Sequence, residues 1–251
     1  MKDPHVVSLH YELVVPVNIE FIAPSPVVVQ RQEFACRLSM DGLLVEMGYH
    51  CADESAARGI VDPYLRAWEL YAEVQYCSPI LRFGFLRAEM IDRDPRRSHS
   101  ISGAVECAMA CSARIVGHVS AFPEPSNRCV YSPDVRAIWE RYQDYRAGRE
   151  KLASMAYFAL TRIEQCAGGR KDASRKYSIS RGLLDRLAIL SSKVGGDKSV
   201  RKNSASSSGV PHTEEEVAWI ESCIRRVAHQ VAMHDADPLR PLPLLTASDL
   251  I

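Results

Sequence analysis

SPDVRAIWERYQDYRAGREKLASMAYFALTRIEQCAGG, residues 132–169, decides how the second half of this chain folds. Ser132 is an N-cap residue type, and Pro133 stands where the first helical residue belongs. Asp134 places negative charge at the positive end of the helix dipole. Apolar side chains then recur at Val135, Ile138, Trp139, Tyr142, Tyr145, Leu152, Met155, Ala156, Ala159, Leu160 and Ile163. That spacing of three and four lays one stripe along a helix. Gly168-Gly169 ends the pattern as a C-cap pair does. The stretch reads as one amphipathic helix about 50 Å long, or as two helices meeting at Gly148. An interior glycine costs roughly 1 kcal/mol relative to alanine, so Gly148 is where a break is expected. A stripe of this kind buries a face, and the element reads as scaffold.

The helical pattern continues downstream. Ser180 precedes Leu183, Leu184, Leu187, Ile189 and Leu190 at helical spacing. Thr213-Glu214-Glu215-Glu216 is a capping box, in which the Thr213 and Glu216 side chains satisfy each other's backbone amides. Val217, Ile220, Ile224, Val227, Ala228 and Val231 then form the apolar face of a last helix. Between the two, residues 195–212 are rich in Ser, Gly and Lys and read as a mobile loop. Pro238, Pro241 and Pro243 make the tail extended, with Leu244 and Leu245 placed to dock it back.

Upstream, the period changes from helical to alternating. Leu13, Val15, Val17, Ile19 and Phe21 read as a half-buried strand, and residues 27–29 as a short one. Phe34, Cys36, Leu38 and Met40 alternate up to Asp41-Gly42, and Leu43, Val45, Met47 and Tyr49 alternate after it. Asp-Gly between two such runs predicts a hairpin on a type I′ turn. Asp62-Pro63 repeats the cap pattern and opens a helix through Leu65, Trp68, Tyr71 and Ala72 to about Tyr76. Residues 80–91 alternate again, and residues 101–119 read as strand. FPEPSN, residues 122–127, is a proline-rich connection. The predicted class is α+β: an antiparallel β-rich domain with one helix over residues 1–131, then a C-terminal α-helical bundle over 132–251. The regular βαβ alternation of a nucleotide-binding sheet is missing.

Composition narrows the function classes. A 251-residue chain that is 47% hydrophobic buries a core without staples. The formal net charge is zero, which excludes a global polyelectrolyte, yet residues 170–202 carry ten basic and three acidic side chains, a local +7. The eight cysteines include no CxxC pair and fall mostly among apolar neighbours, which predicts reduced thiols and a cytoplasmic location. No signal peptide and no apolar run of ~18 residues is present, so no membrane span is expected.

Candidate chemistry is sparse. Gly168-Gly169-Arg170-Lys171 and Gly195-Gly196-Asp197-Lys198 lack the spacing of a phosphate loop, and helix termination explains both. No cysteine and histidine set has the spacing of a structural zinc site, so neither metal nor cofactor is expected. Arg170, Lys171, Arg175 and Lys176 are the candidate anion-binding residues, although the run lacks the interleaved aromatics of a nucleic-acid stacking platform. Arg225, Arg226 and His229 on the last helix are the candidate catalytic residues. An Arg and a His on one helix face, opposed by a second copy, would hold a scissile RNA phosphate and move its proton.

That Arg-His helix resembles the last helix of the HEPN superfamily of helical-bundle ribonucleases. The family's motif has four to six residues between Arg, often followed by Asn, and His. Here Arg225 and His229 have three between them, and Arg225 and His234 have eight. A second resemblance covers most of the chain. DRDPRR (92–97), RYQDYRAGREKLASMAYFALTRIE (141–164), KYSISRGLLDRLAILSS (176–192) and LPLLTASDL (242–250) are similar to a group of uncharacterised bacterial proteins, some labelled methylamine utilisation protein MauJ. The resemblance implies a cytosolic accessory protein and carries over no site residue. The expected function is therefore a non-enzymatic accessory or binding protein, as a homo-oligomer through its helices or with another protein. The alternative is a HEPN-like, metal-independent ribonuclease or toxin acting on RNA.

Overall fold

The computed structural model describes residues 3–16, 19–94, 101–102, 117–192 and 211–250. They form two compact units, Met1–Ser126 and Asn127–Ile251. The first is an antiparallel sheet with one helix and the second a set of packed helices, so the fold is α+β.

The sheet is built around β1 (Pro4–Val14), whose neighbours are β5 (Gly42–Met47) and β6 (Arg82–Asp92). Beyond β5 lie β4 (Phe34–Ser39) and then β3 (Val27–Gln30), the end strand; the two-residue β7 (Ile101–Ser102) follows β6. The alternation expected from Leu13 to Phe21 falls instead on the tail of β1 and on β2 (Ile19–Phe21), which pairs in parallel with β8 (Gly117–Val119). Between them the Ile19 amide donates to the Pro16 carbonyl at 2.9 Å. The central strand lies upstream, in residues that show no clean period. A register shift between Val6 and Ser8 explains why: Val7 is an extra residue in β1, so the side chains after it change face and the buried Val6 and Leu9 are three apart while Leu9 and Tyr11 are two apart.

The hairpin of β4 and β5 forms, with Ser39 opposite Gly42. Its turn is not type I′, because neither Met40 nor Asp41 has positive φ and Gly42 takes φ +120 instead. A Cβ at Gly42 would lie 2.5 Å from the Tyr11 carbonyl oxygen, so a close approach of β1 also demands glycine there. The helix α1 (Glu54–Tyr76) begins about two turns before the expected Asp62-Pro63 start. Asp53 caps it by accepting from the Ala56 amide at 2.8 Å. Asp62 instead accepts from the Tyr11 hydroxyl at 2.7 Å, and Pro63 lies inside the helix. Ala57, Val61, Leu65, Trp68 and Ala72 form the stripe that α1 buries on the sheet. Most of the expected strand at residues 101–119 and the loop expected at 195–212 lie outside the described residues.

In the second unit the opening stretch becomes two helices, α2 (Pro133–Arg146) and α3 (Leu152–Ala167). They run antiparallel: Arg162, near the end of α3, donates to Asp134 Oδ1 in the first turn of α2 at 2.9 and 2.6 Å. A continuous rod would leave half its stripe without a partner. Folding at the break lets Val135, Ile138, Trp139 and Tyr142 bury together with Met155, Ala156, Ala159 and Ile163. Gly148 sits in the break at φ +71, with nothing within 4 Å of a built Cβ. Gly148→Ala should therefore cost about 1–2 kcal/mol from backbone conformation alone. A chemical melt in which the variant equals the wild type would show that the break tolerates a side chain.

The start of the basic run is helical, as α4 (Arg170–Lys176), followed by α5 (Arg181–Ser192). The capping box at Thr213 and Glu216 opens α6 (Glu214–Ala236). Buried Gln230 on α6 holds the tail, donating to the Pro243 carbonyl at 2.6 Å and the Ser178 carbonyl at 3.3 Å. Leu245 is buried while Leu244 is exposed.

Candidate functional site

The α6 candidates divide between two environments. Arg225 is only 8% exposed, and its Nη1 donates to the Tyr142 hydroxyl on α2 at 2.9 Å. Arg146 Nη1 donates to the same hydroxyl at 3.3 Å, and the Tyr145 hydroxyl donates to Glu221 Oε1 at 2.8 Å. Glu221 Oε2 lies 3.8 Å from Arg225 Nη1. These groups form a polar clasp between α2 and α6, with Arg225 facing α2. The Arg226 charge acts on His229 and also on Asp249 in the C-terminal 3-10 turn Ala247–Leu250. Of the three candidates, Arg226 and His229 are linked by charge, while Arg225 is engaged with Tyr142. At 8% exposure, Arg225 offers little of its guanidinium to a phosphate at this helix.

Burial first, and the Arg226 charge second, push the His229 imidazole down to about 4. The native ring is thus neutral at neutral pH. Its burial makes it a weak base, and at neutral pH it carries no imidazolium proton to donate as a general acid. The folded pKa lies below the unfolded one, so between them the unfolded chain binds more protons and stability falls as pH drops. At about pH 5 this single group should cost about 2 kcal/mol. His229→Gln should remove that loss, so its melting temperature should fall less than the wild type's between neutral pH and pH 5. Parallel pH profiles for the two proteins would rule the assignment out.

The basic candidates are largely compensated. Arg170 donates to Glu164 at 2.6 Å and to Asp185 at 2.9 Å, and these partners hold its guanidinium above the ordinary arginine value. Arg175 donates to Asp172 at 2.6 Å. Lys176 Nζ donates to the Cys166 carbonyl at 3.2 Å and lies 4.9 Å from the centre of the Tyr177 ring. Lys171 is exposed on α4. Three of the four thus already hold acceptors within this chain.

Thiol chemistry is likewise disfavoured by environment. Burial raises Cys36 to about 11 and pushes the Cys51, Cys166 and Cys223 thiols up as well, away from the nucleophilic thiolate. None of the six described cysteines forms a disulfide. Among the described residues no group of three or more His, Cys, Asp or Glu is placed to hold a metal ion.

Two features of the sheet unit escape sequence reasoning. The first is a pair of buried carboxylates, Glu69 and Glu73, each 1% exposed on α1. Arg66 Nη1 donates to both oxygens of Glu69 at 2.6 and 2.8 Å, and the Phe83 amide donates to Glu69 Oε1 at 2.7 Å. Arg82 Nη2 donates to Glu73 Oε2, while Glu73 Oε1 is buried without a hydrogen-bond partner. The visible signal was two acids four apart beside Leu65, Trp68 and Ala72, hence on the side that packs.

The second feature is a groove of about 490 Å³ lined by Pro26, Val27, Val29, Phe122, Glu124 and Pro125 among others. It runs along β3, and no described strand pairs with the outer edge of that strand. The Arg31 amide donates to the Phe34 carbonyl at 2.9 Å, with Gln30 opposite Ala35. Antiparallel pairing alternates, so Val27, Val29 and Arg31 turn their backbone groups to β4. Val28 and Gln30 turn theirs outward.

Comparison of the chain with protein-family models, with curated proteins and with solved structures finds no match. Among the described residues, no helix is long and apolar enough to cross a membrane.

Proposed function

We propose that this chain is a non-enzymatic accessory protein whose work is to bind another protein chain along the β3 edge. The observation that carries the reading is the groove beside β3, where the outward amides and carbonyls of Val28 and Gln30 meet a wall of valine, phenylalanine and proline. An extended segment added there gains main-chain hydrogen bonds, and the groove selects its side chains. The engagement of Arg225 with Tyr142 further favours binding over the ribonuclease alternative. Reduced thiols fit the cytoplasmic setting expected for such a protein.

A ribonuclease assay separates the two readings. Purified wild type and His229→Ala should leave single-stranded RNA equally intact in the presence of a chelator. Cleavage by the wild type that His229→Ala abolishes would replace this reading with the ribonuclease one.

A further inference from the structure

We infer that the chain seated on the β3 edge is a second copy of this protein, paired antiparallel about a two-fold axis at Val29. The inference rests on the binding reading above and names its partner. The outward backbone groups are two donors and two acceptors, on Val28 and Gln30. Placing Val28 opposite Gln30 of a second copy, and Gln30 opposite its Val28, makes four hydrogen bonds, and the arrangement maps onto itself by a half turn. Neighbouring two-fold registers do worse. Centring on Val28 also makes four hydrogen bonds, but it sets Gln30 against Pro26, which has no N–H to give, so both Gln30 carbonyls are left without a donor. Centring on Gln30 sets Val28 against Gln32, beyond the end of β3. Pro26 thus helps to select one register.

Side chains support the same register. Val27 and Val29 pack against the core on the α1 side, and Val28 is 61% exposed on the other face. At the axis the two Val29 side chains meet as a cross-strand apolar pair. Arg31 shares the parity of Val27 and Val29, and its guanidinium lies 4.9 Å from the centre of the Tyr64 ring on α1. Pairing sets Arg31 of one copy opposite Val27 of the other, in the groove that Glu124 lines. The two-fold repeats this, giving an Arg31 and Glu124 pair at each end. A partner with the same outward pattern and a basic residue one step past it is what the groove fits, and this chain supplies one. Four residues per strand make a small interface, so the dimer should be concentration-dependent.

Sedimentation equilibrium tests it on the full chain. The wild-type mass should rise with concentration from 28.0 kDa toward twice that value. Val28→Pro removes an outward N–H that β4 does not use, so it should stay monomeric while melting near the wild-type temperature. Val29→Cys should give a dimer on a non-reducing gel after mild oxidation, because directly opposed residues of a non-hydrogen-bonded pair lie about 4.5 Å apart at Cα. That link does not depend on how Val28→Pro folds. A wild type that stays monomeric to high concentration, a dimer insensitive to Val28→Pro, or a failure of Val29→Cys to link overturns the two-fold. The ribonuclease assay is independent of these results: cleavage by a dimer overturns the accessory reading alone, and an inert monomer overturns the self-pairing alone.

Discussion

Glu69→Ala should destabilise the sheet unit by about 3–5 kcal/mol, the range for removing one partner of a buried charge pair. Glu69 is 1% exposed and accepts three hydrogen bonds, two from Arg66 and one from the Phe83 amide. Alanine leaves the Phe83 N–H without its acceptor at the start of β6 and strips Arg66 of its carboxylate. Arg82 is affected too, since its Nη1 lies 4.0 Å from Glu69 Oε2. A domain of this size has a total stability of about 5–15 kcal/mol, so the loss is a large part of it. Glu69→Gln should lose less, because the amide oxygen still accepts from Phe83 while the charge attraction to Arg66 is gone. Urea unfolding followed by the tryptophan signal orders the three proteins. If Glu69→Ala and Glu69→Gln unfold together, within about 0.5 kcal/mol of the wild type, the carboxylate is not what joins α1 to β6.

Legibility in the sequence followed the regularity of each element. Helices of the second unit announce themselves because stripe and cap agree: Ser132 with Pro133, and Thr213 with Glu216, both stand at helix starts. The β4 and β5 hairpin was readable for the same reason, since Cys36, Leu38, Leu43 and Val45 alternate into the core. Its turn type was not, because the demand for glycine at position 42 comes partly from the Tyr11 carbonyl, thirty-one residues away in sequence. β1 hid behind the extra residue at Val7. The start of α1 hid behind Pro63, a residue that usually opens a helix and here sits within one. Candidate residues fared by the same rule. Arg225 looks like an exposed motif residue until its partner Tyr142, eighty-three positions away, is known. An edge strand cannot be read from its own four residues, because being at the edge is a property of the whole sheet.

Trp68→Ala should be of similar size, about 3–5 kcal/mol, and should also reach the β3 groove. Trp68 is 1% exposed, with ring centres 5.3 Å from Phe83 and 6.3 Å from Tyr64. Its Nε1 donates to the Pro123 carbonyl at 2.8 Å. That bond holds the segment on which Phe122, Glu124 and Pro125 line the groove. Truncation to alanine removes the ring, opens a cavity between α1 and the sheet, and leaves the Pro123 carbonyl without its donor. Trp68→Phe separates the two effects. It keeps most of the apolar volume and deletes the N–H, so its stability loss should be nearer 1–3 kcal/mol. The wall carrying Glu124 loosens all the same, so Trp68→Phe should dimerise less tightly than the wild type in the sedimentation experiment. Hydrogen exchange gives the local readout: the amides of residues 124 and 126 should exchange faster in Trp68→Phe, while those of β1 and β5 stay protected. Uniform loss of protection across the sheet would mean that Trp68 serves the core alone and that the groove wall stands without it.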